Sequence, residues 1–304
     1  MDLARAFDLH ARYVQVWCDT ACAYGLLDPA AGGRYRLAPH FEQLLAQPGN
    51  PRLLAPYFTA AIDHFGADMA RYPDYFRTGE TYTYQDHGED FSKAISEITS
   101  GFHTFVVRRA LPAIPAVQEK LEAGARLLDM GCGAGGLLMK IAKAAPNCIC
   151  VGIDVDAHGI RLANERIEKA GLGERVTVEL ADGGAIDHED EFDVVTMFEV
   201  LHELPPEVRP QIMSNAHKAL KPGGILFILD ETYPSGAEQL RQPEYGLAVQ
   251  TGFNELIWGN VVPTKEDQDR LLTEAGFTNI QRDQVAGIFT MITAEKAATT
   301  ATVA

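Results

Sequence analysis

A chain of 304 residues, 46% hydrophobic and 22% charged, has the composition of a globular protein with room for one sizeable core and a smaller companion unit. Its 26 Lys and Arg against 42 Asp and Glu leave a formal charge of −16, which repels nucleic acid and anionic membrane surfaces over most of the molecule. No apolar run nears the roughly 20 residues that cross a bilayer, the N-terminus has no basic stretch or signal core, and Cys18, Cys22, Cys132, Cys148 and Cys150 form no CxxC pair, so a cytoplasmic protein with reduced thiols and no zinc site is expected.

Residues 1–100 read as a separate, mainly helical unit, with strand character only at Arg34–Leu37. Thr81 to Gly88, aromatic and polar without periodicity, reads as a loop placed to cover a ligand. From about residue 101 to 295 the pattern becomes that of an α/β sheet with crossover helices. Arg126–Met130, Cys148–Asp154, Val176–Leu180, Phe192–Phe198 and Ile225–Glu231 are the expected strands. A helix through Leu137, Leu138, Ile141 and Ala142 stops before Pro146, the next ends at Gly171, and a third starts near Pro206 and stops at Pro222-Gly223-Gly224. About thirty residues after Glu231 lack a clear pattern and read as a substrate-covering insertion. Thr264 caps a helix through Ala275, and Asn279–Ala286 with Ile288–Ala294 form an antiparallel hairpin about Gly287. Residues 296–304 read as a disordered Ala/Thr tail.

The segment Leu127-Leu128-Asp129-Met130-Gly131-Cys132-Gly133-Ala134-Gly135-Gly136 is a strand running into a Gly-rich turn that opens a helix, a form that lets a ligand approach backbone. Gly131, Gly133 and Gly136 satisfy GxGxxG, which also admits a nicotinamide cofactor. Asp129, just ahead of the glycines, faces an incoming pyrophosphate badly and a cationic ligand well. Asp154 ends the second strand 21 residues after Gly133 and can hold ribose hydroxyls, while Asp182, after the third, can accept from an adenine amino group.

Together with FDVVTMFEVLHEL, LKPGGILFILDE and EAGFTNI in the same order, these elements resemble the class I S-adenosylmethionine-dependent methyltransferases over residues 101–295. The resemblance implies a Rossmann-like sheet, parallel with a C-terminal antiparallel hairpin, beside the helical N-terminal unit. It implies S-adenosyl-L-methionine as cofactor and S-adenosyl-L-homocysteine as product, held by Asp129, Gly131, Gly133, Gly135, Asp154, Val155, Asp182, Gly183 and Phe198. Asp129 would face the ammonium group, Asp154 the ribose, Asp182 the adenine, and Phe198 the methyl. Cys132 then fills the turn and is no nucleophile.

Leu201-His202-Glu203 stands where small-molecule O-methyltransferases of the plant and bacterial type carry a His-Asp pair, whose histidine is the general base. An imidazole with a pKa near 6.5 suits removal of a hydroxyl proton. By that resemblance His202 is the base, Asp230 its supporting acid and Glu199 a second candidate. The sequence departs from the pattern in Glu203 for Asp, in Leu204 for Trp, and in Val261-Val262-Pro263-Thr264, where an acid is usual. Tyr82, Tyr84, His87 and Phe91, with Trp258 and Asn260 of the insertion, are expected to line the acceptor pocket, and no metal is implied. Leu3 to Leu27 and Tyr35 to Leu45 resemble the back half of the winged-helix module that makes such enzymes homodimers. A small acceptor is the expected partner, preferably methylated on oxygen. Carbon or nitrogen transfer, a non-catalytic metabolite-binding regulator and a nicotinamide-dependent oxidoreductase stay open.

Overall fold

In the computed structural model, which describes residues 2–47 and 50–298, the chain divides between Thr59 and Ala60 into two compact units. The first contains helix α1 (Ala11–Ala23) and an antiparallel hairpin, β1 (Leu27–Ala30) with β2 (Arg34–Leu37), in which Leu27 pairs with Leu37. Cys18 and Ala21 on α1 pack with Leu27 as its small core. The division lies forty residues before the expected boundary at 100. Phe91, Ile257 and Trp258 share one apolar cluster, and the Tyr82 amide donates to the Ile257 carbonyl at 2.7 Å, so residues 60–100 belong with the sheet.

That sheet has seven strands: β3 (Arg126–Met130), β4 (Ile149–Asp154), β5 (Val176–Leu180), β6 (Phe192–Phe198), β7 (Leu220–Asp230), β8 (Thr278–Val285) and β9 (Phe289–Glu295). Their spatial order is β5-β4-β3-β6-β7-β9-β8, parallel from β5 to β7, with β9 antiparallel to both β7 and β8. Because helices cover both faces, the central strands send apolar residues to each, as with Leu127 and Leu128, which serve opposite cores. One face carries α2 (Glu89–Phe105), α3 (Pro115–Ala123), α4 (Gly136–Ala144) and α5 (Ala157–Lys169). The other is covered by α6 (Arg209–Ala219) and, beyond α7 (Gly246–Trp258), by α8 (Lys265–Glu274). β3 is flanked by β4 and β6, so the chain leaves it in both directions and opens a crevice at the strands' C-terminal ends.

Three local expectations are corrected. The helix expected at Pro206 starts at Arg209 with Pro210 in its first turn, because Pro205 to Val208 form a turn instead. Pro222-Gly223-Gly224 does not stop ahead of the strand. It bulges inside β7, where pairing jumps from Phe192–Leu220 to Val194–Ile225, and Gly223 at φ +75° makes the bend. The insertion after Glu231 holds the thirteen-residue α7, whose composition is too apolar all round to show an amphipathic period. Thr264 caps α8 as expected, exchanging hydrogen bonds with Asp267. Of the expected tail, residues 299–304 lie outside the described residues.

Candidate active site

The Gly-rich turn closes onto β4. The amides of Gly131 and Cys132 both donate to the Ile153 carbonyl, at 2.9 and 3.0 Å, and the Gly133 amide donates to Oδ2 of Asp154 at 2.7 Å. Gly131 sits at φ +78°, and a Cβ built on it would lie 2.4 Å from Cγ2 of Val200, so only glycine lets the turn pass beneath the end of β6. Gly135 turns instead toward Ala163 of α5 as the residue capping α4, and does not face the crevice. Cys132 packs its sulfur over Gly152, and burial pushes its thiol pKa well up, which fits a filler and not a nucleophile.

Above this turn lies a cavity of about 440 Å³. Asp129, Gly131, Gly133, Asp154, Val155, Asp182, Gly183 and Phe198 all line it. So do Glu199 and, from the expected acceptor wall, Tyr84, Trp258 and Asn260. Asp129 accepts the Thr196 hydroxyl at 2.6 Å, and burial raises its pKa to about 7. Asp154 spends an oxygen on each of two amides, those of Gly133 and Asp156, while burial also moves its pKa up. Glu199 adopts φ +55° as β6 ends, and its Oε1 is buried without a hydrogen bond.

Tyr82, His87 and Phe91 do not line the cavity; they build the layer behind its wall. His87 stacks on Phe91 with ring centroids 4.0 Å apart, and its ring nitrogens meet Oδ2 of Asp68 and the Thr83 carbonyl, each at 3.0 Å. The Trp258 indole N–H donates to the same Asp68 oxygen at 3.2 Å, and Phe91 meets the Trp258 ring edge-on at 5.5 Å. The Tyr82 hydroxyl donates to the Asp86 carbonyl, so the expected loop is locked into a short turn. These aromatic residues gave no periodic signal that could tell the lining from its support.

His202 is also just behind the lining, which its neighbour Glu203 reaches. Its Nδ1 donates to Oδ1 of Asp230 at 2.6 Å, and Asp230 is itself fixed by the amides of Leu201 and Glu231 at 2.7 and 2.6 Å. Nε2 faces Oε1 of Glu255 on α7 at 3.9 Å, and the other Glu255 oxygen accepts from Asn260 at 3.1 Å. Burial opposes a charged imidazole, yet Asp230 and then Glu255 outweigh it and hold the His202 pKa well above 6.5. Burial raises Glu203 to about 8 and Glu255 to about 7. Donor atoms of His202, Glu203 and Glu255 lie within 4.8 Å of one another, so this corner can pass a proton among three groups. Glu255 escaped the sequence reading; its only signal is a lone acid in the apolar run Leu256-Ile257-Trp258.

The site's donor set fits S-adenosyl-L-methionine. Carboxylates face a ligand with two positive charges, and the glycine turn leaves room for it at Gly133, where a Cβ would meet nothing within 4 Å.

Comparison with known proteins agrees. Residues 128–226 match a family model described as a methyltransferase domain. The chain is 34% identical over 143 residues to 27-O-demethylrifamycin SV methyltransferase of Amycolatopsis mediterranei, an alignment spanning 44% of this chain and about half, 52%, of that protein. In fold it is similar to human N-acetylserotonin methyltransferase in complex with SAM, at TM-score 0.79 and 17% identity, covering 97% of this chain and 86% of that one. An O-methyltransferase family protein from Burkholderia thailandensis gives TM-score 0.78 at 16% identity, covering 97% and 87%. Residues 128–226 thus match a methyltransferase domain, set in a fold that the chain shares with solved methyltransferases.

Proposed function

We propose that this methyltransferase domain moves a methyl group from S-adenosyl-L-methionine to a small-molecule acceptor, with a hydroxyl oxygen of a hydrophobic or aromatic metabolite preferred. The observation that carries this reading is one cavity with acids beside a glycine turn at one end and the His202–Asp230–Glu255 cluster behind the other. The acids do not suit the pyrophosphate of a nicotinamide cofactor. When bound, the cofactor supplies an activated methyl on a sulfonium, which any well-placed nucleophile can take.

The protein's own part is orientation, exclusion of water and proton removal. Tyr84 and Trp258 wall the cavity with aromatic faces that also suit a sulfonium. Asp230 holds the His202 ring, and Nε2, facing Glu255 behind the lining, is the atom left to take the acceptor's proton by way of Glu203, the member of the cluster that reaches the cavity. Because Asp230 and Glu255 raise its pKa, the ring acts as a base with a group beside it to which a proton can pass, and Glu255 and Glu203 stand within reach. Glu199 is assigned to the acceptor side of the cofactor. We assign the cluster to proton transfer and no resident metal.

The A. mediterranei relative, named for its action on 27-O-demethylrifamycin SV, supports an acceptor from secondary metabolism. The α1–hairpin unit supports a partial winged helix serving homodimerisation in a cytoplasmic enzyme. Among the described residues no helix is long and apolar enough to cross a membrane.

The test is incubation with methyl-labelled cofactor and a small-molecule extract, beside His202→Ala. A labelled metabolite whose formation the variant slows by about a hundredfold or more is expected. Cofactor binding without any labelled product from hydroxylated aromatics would favour a regulator instead.

A further inference from the structure

Six carboxylates line the cavity, those of Asp129, Asp154, Asp156, Asp182, Glu199 and Glu203, and among the described residues no Lys or Arg faces it. This lining suits the sulfonium and ammonium of the cofactor. It opposes the third charged group, the α-carboxylate, which needs a corner without acids.

One corner qualifies. His103, in the last turn of α2, is among the described residues the only histidine on the lining; it is 9% exposed, and its Nδ1 is buried without a hydrogen-bond partner. The ring lies over Gly136, the first residue of α4, so closely that a Cβ there would be 2.8 Å from Nδ1. Phe198 meets the ring edge-on at 4.7 Å and fixes its attitude. Gly136 and Leu137 also line the cavity, and the first turn of the nine-residue α4 presents amides that no helical carbonyl can satisfy, at the positive end of the helix dipole.

We propose that His103 and the first turn of α4 together form the receptor for the α-carboxylate of S-adenosyl-L-methionine. This rests on the cofactor assignment above. An imidazole N–H and the free amides donate to the carboxylate, while Asp129 serves the ammonium group on the same carbon. The pair fixes which way round the amino-acid end sits, and Gly136 is glycine because the imidazole occupies the space of its side chain.

The experiment measures Kd by calorimetry on the full chain for S-adenosyl-L-methionine and for its decarboxylated analogue, in wild type, His103→Phe and His103→Asn. The readout is the ratio of the two Kd values within each protein, which a general loss of folding does not move. In His103→Phe the ratio should shift toward the decarboxylated analogue by about ten- to a hundredfold, the worth of a hydrogen bond to a charged group. His103→Asn, which keeps a donor, should recover part of that shift. An unchanged ratio in His103→Phe, with both ligands weakened equally or neither weakened, overturns the proposal and leaves His103 as packing against Gly136 and Phe198. If wild type binds neither ligand, the cofactor assignment fails and this proposal falls with it.

Discussion

Nδ1 of His202 and Oδ1 of Asp230 meet at 2.6 Å in a site where both side chains are almost wholly buried. The backbone amides of Leu201, His202 and Glu231 keep the Asp230 carboxylate an acceptor, so the ring is held with Nδ1 protonated and Nε2 turned toward Glu255. Asp230→Asn puts a donor where an acceptor is needed and frees the ring to turn. It should lower kcat by about 10²- to 10⁴-fold, the usual worth of a positioned base, and leave cofactor Kd unchanged. Single-turnover methyl transfer and calorimetry separate the two. Loss of cofactor binding in step with rate would show that the dyad only supports the fold.

Glu255 raises the pKa of His202, so removing its charge should let that pKa fall. In Glu255→Gln, which preserves the partner for Asn260, the acid limb of the kcat profile should move to lower pH and the plateau should drop. A profile with its limb where it stands in wild type would exclude Glu255 from the proton path.

Asp129 predicts a pH effect on the cofactor-free protein. Its folded pKa of about 7 lies above the ordinary carboxylate value of 3.8, so the folded state holds a proton that the unfolded chain releases. Its contribution is therefore fully present below about pH 4 and lost as pH rises through 7. Asp129→Asn should remove that part of the decline, seen as a flatter melting temperature between pH 5 and 8 than wild type. In wild type, the ammonium group of the cofactor should drive the proton off, so affinity should rise with pH up to about 7 and binding below that pH should release protons. Calorimetry in buffers of different ionisation enthalpy reads the released proton directly.

Gly131→Ala meets two obstacles, φ +78° and the methyl of Val200 at 2.4 Å. The overlap and the strained backbone should cost about 1–3 kcal/mol of stability and weaken cofactor binding. Adding Val200→Ala removes the overlap and not the strain. The double variant should thus recover cofactor affinity in part, a coupling that two independent lesions would not show.

The sheet and the cofactor end of the site were legible because their signals are local. The parallel strands carry short apolar runs, and Asp129, Asp154 and Asp182 each lie at or just beyond the C-terminal end of one of them. The acceptor end was not, because it is assembled from distant segments. Glu255 reaches His202 across more than fifty residues of chain, and His103 comes to Gly136 from a helix whose Phe102-His103-Thr104-Phe105 reads as ordinary core. Tyr82, His87 and Phe91 show the converse: they share the region of Tyr84, but hydrogen bonds to Asp86 and Asp68 hold Tyr82 and His87 to the rear, and Phe91 stacks on His87 there. Periodicity says which residues are inside, and only the packed chain says inside of what.

The hydrogen bond from the Tyr82 amide to the Ile257 carbonyl joins the two segments that roof the cavity, and the rings around Trp258 lie beside it. Two covers stitched in this way separate only by breaking that bond. If acceptor and product exchange through this roof, both meet the same rupture. Turnover on unrelated acceptors would then share one slow exit step, and a weaker stitch would trade retention for speed without touching the chemistry.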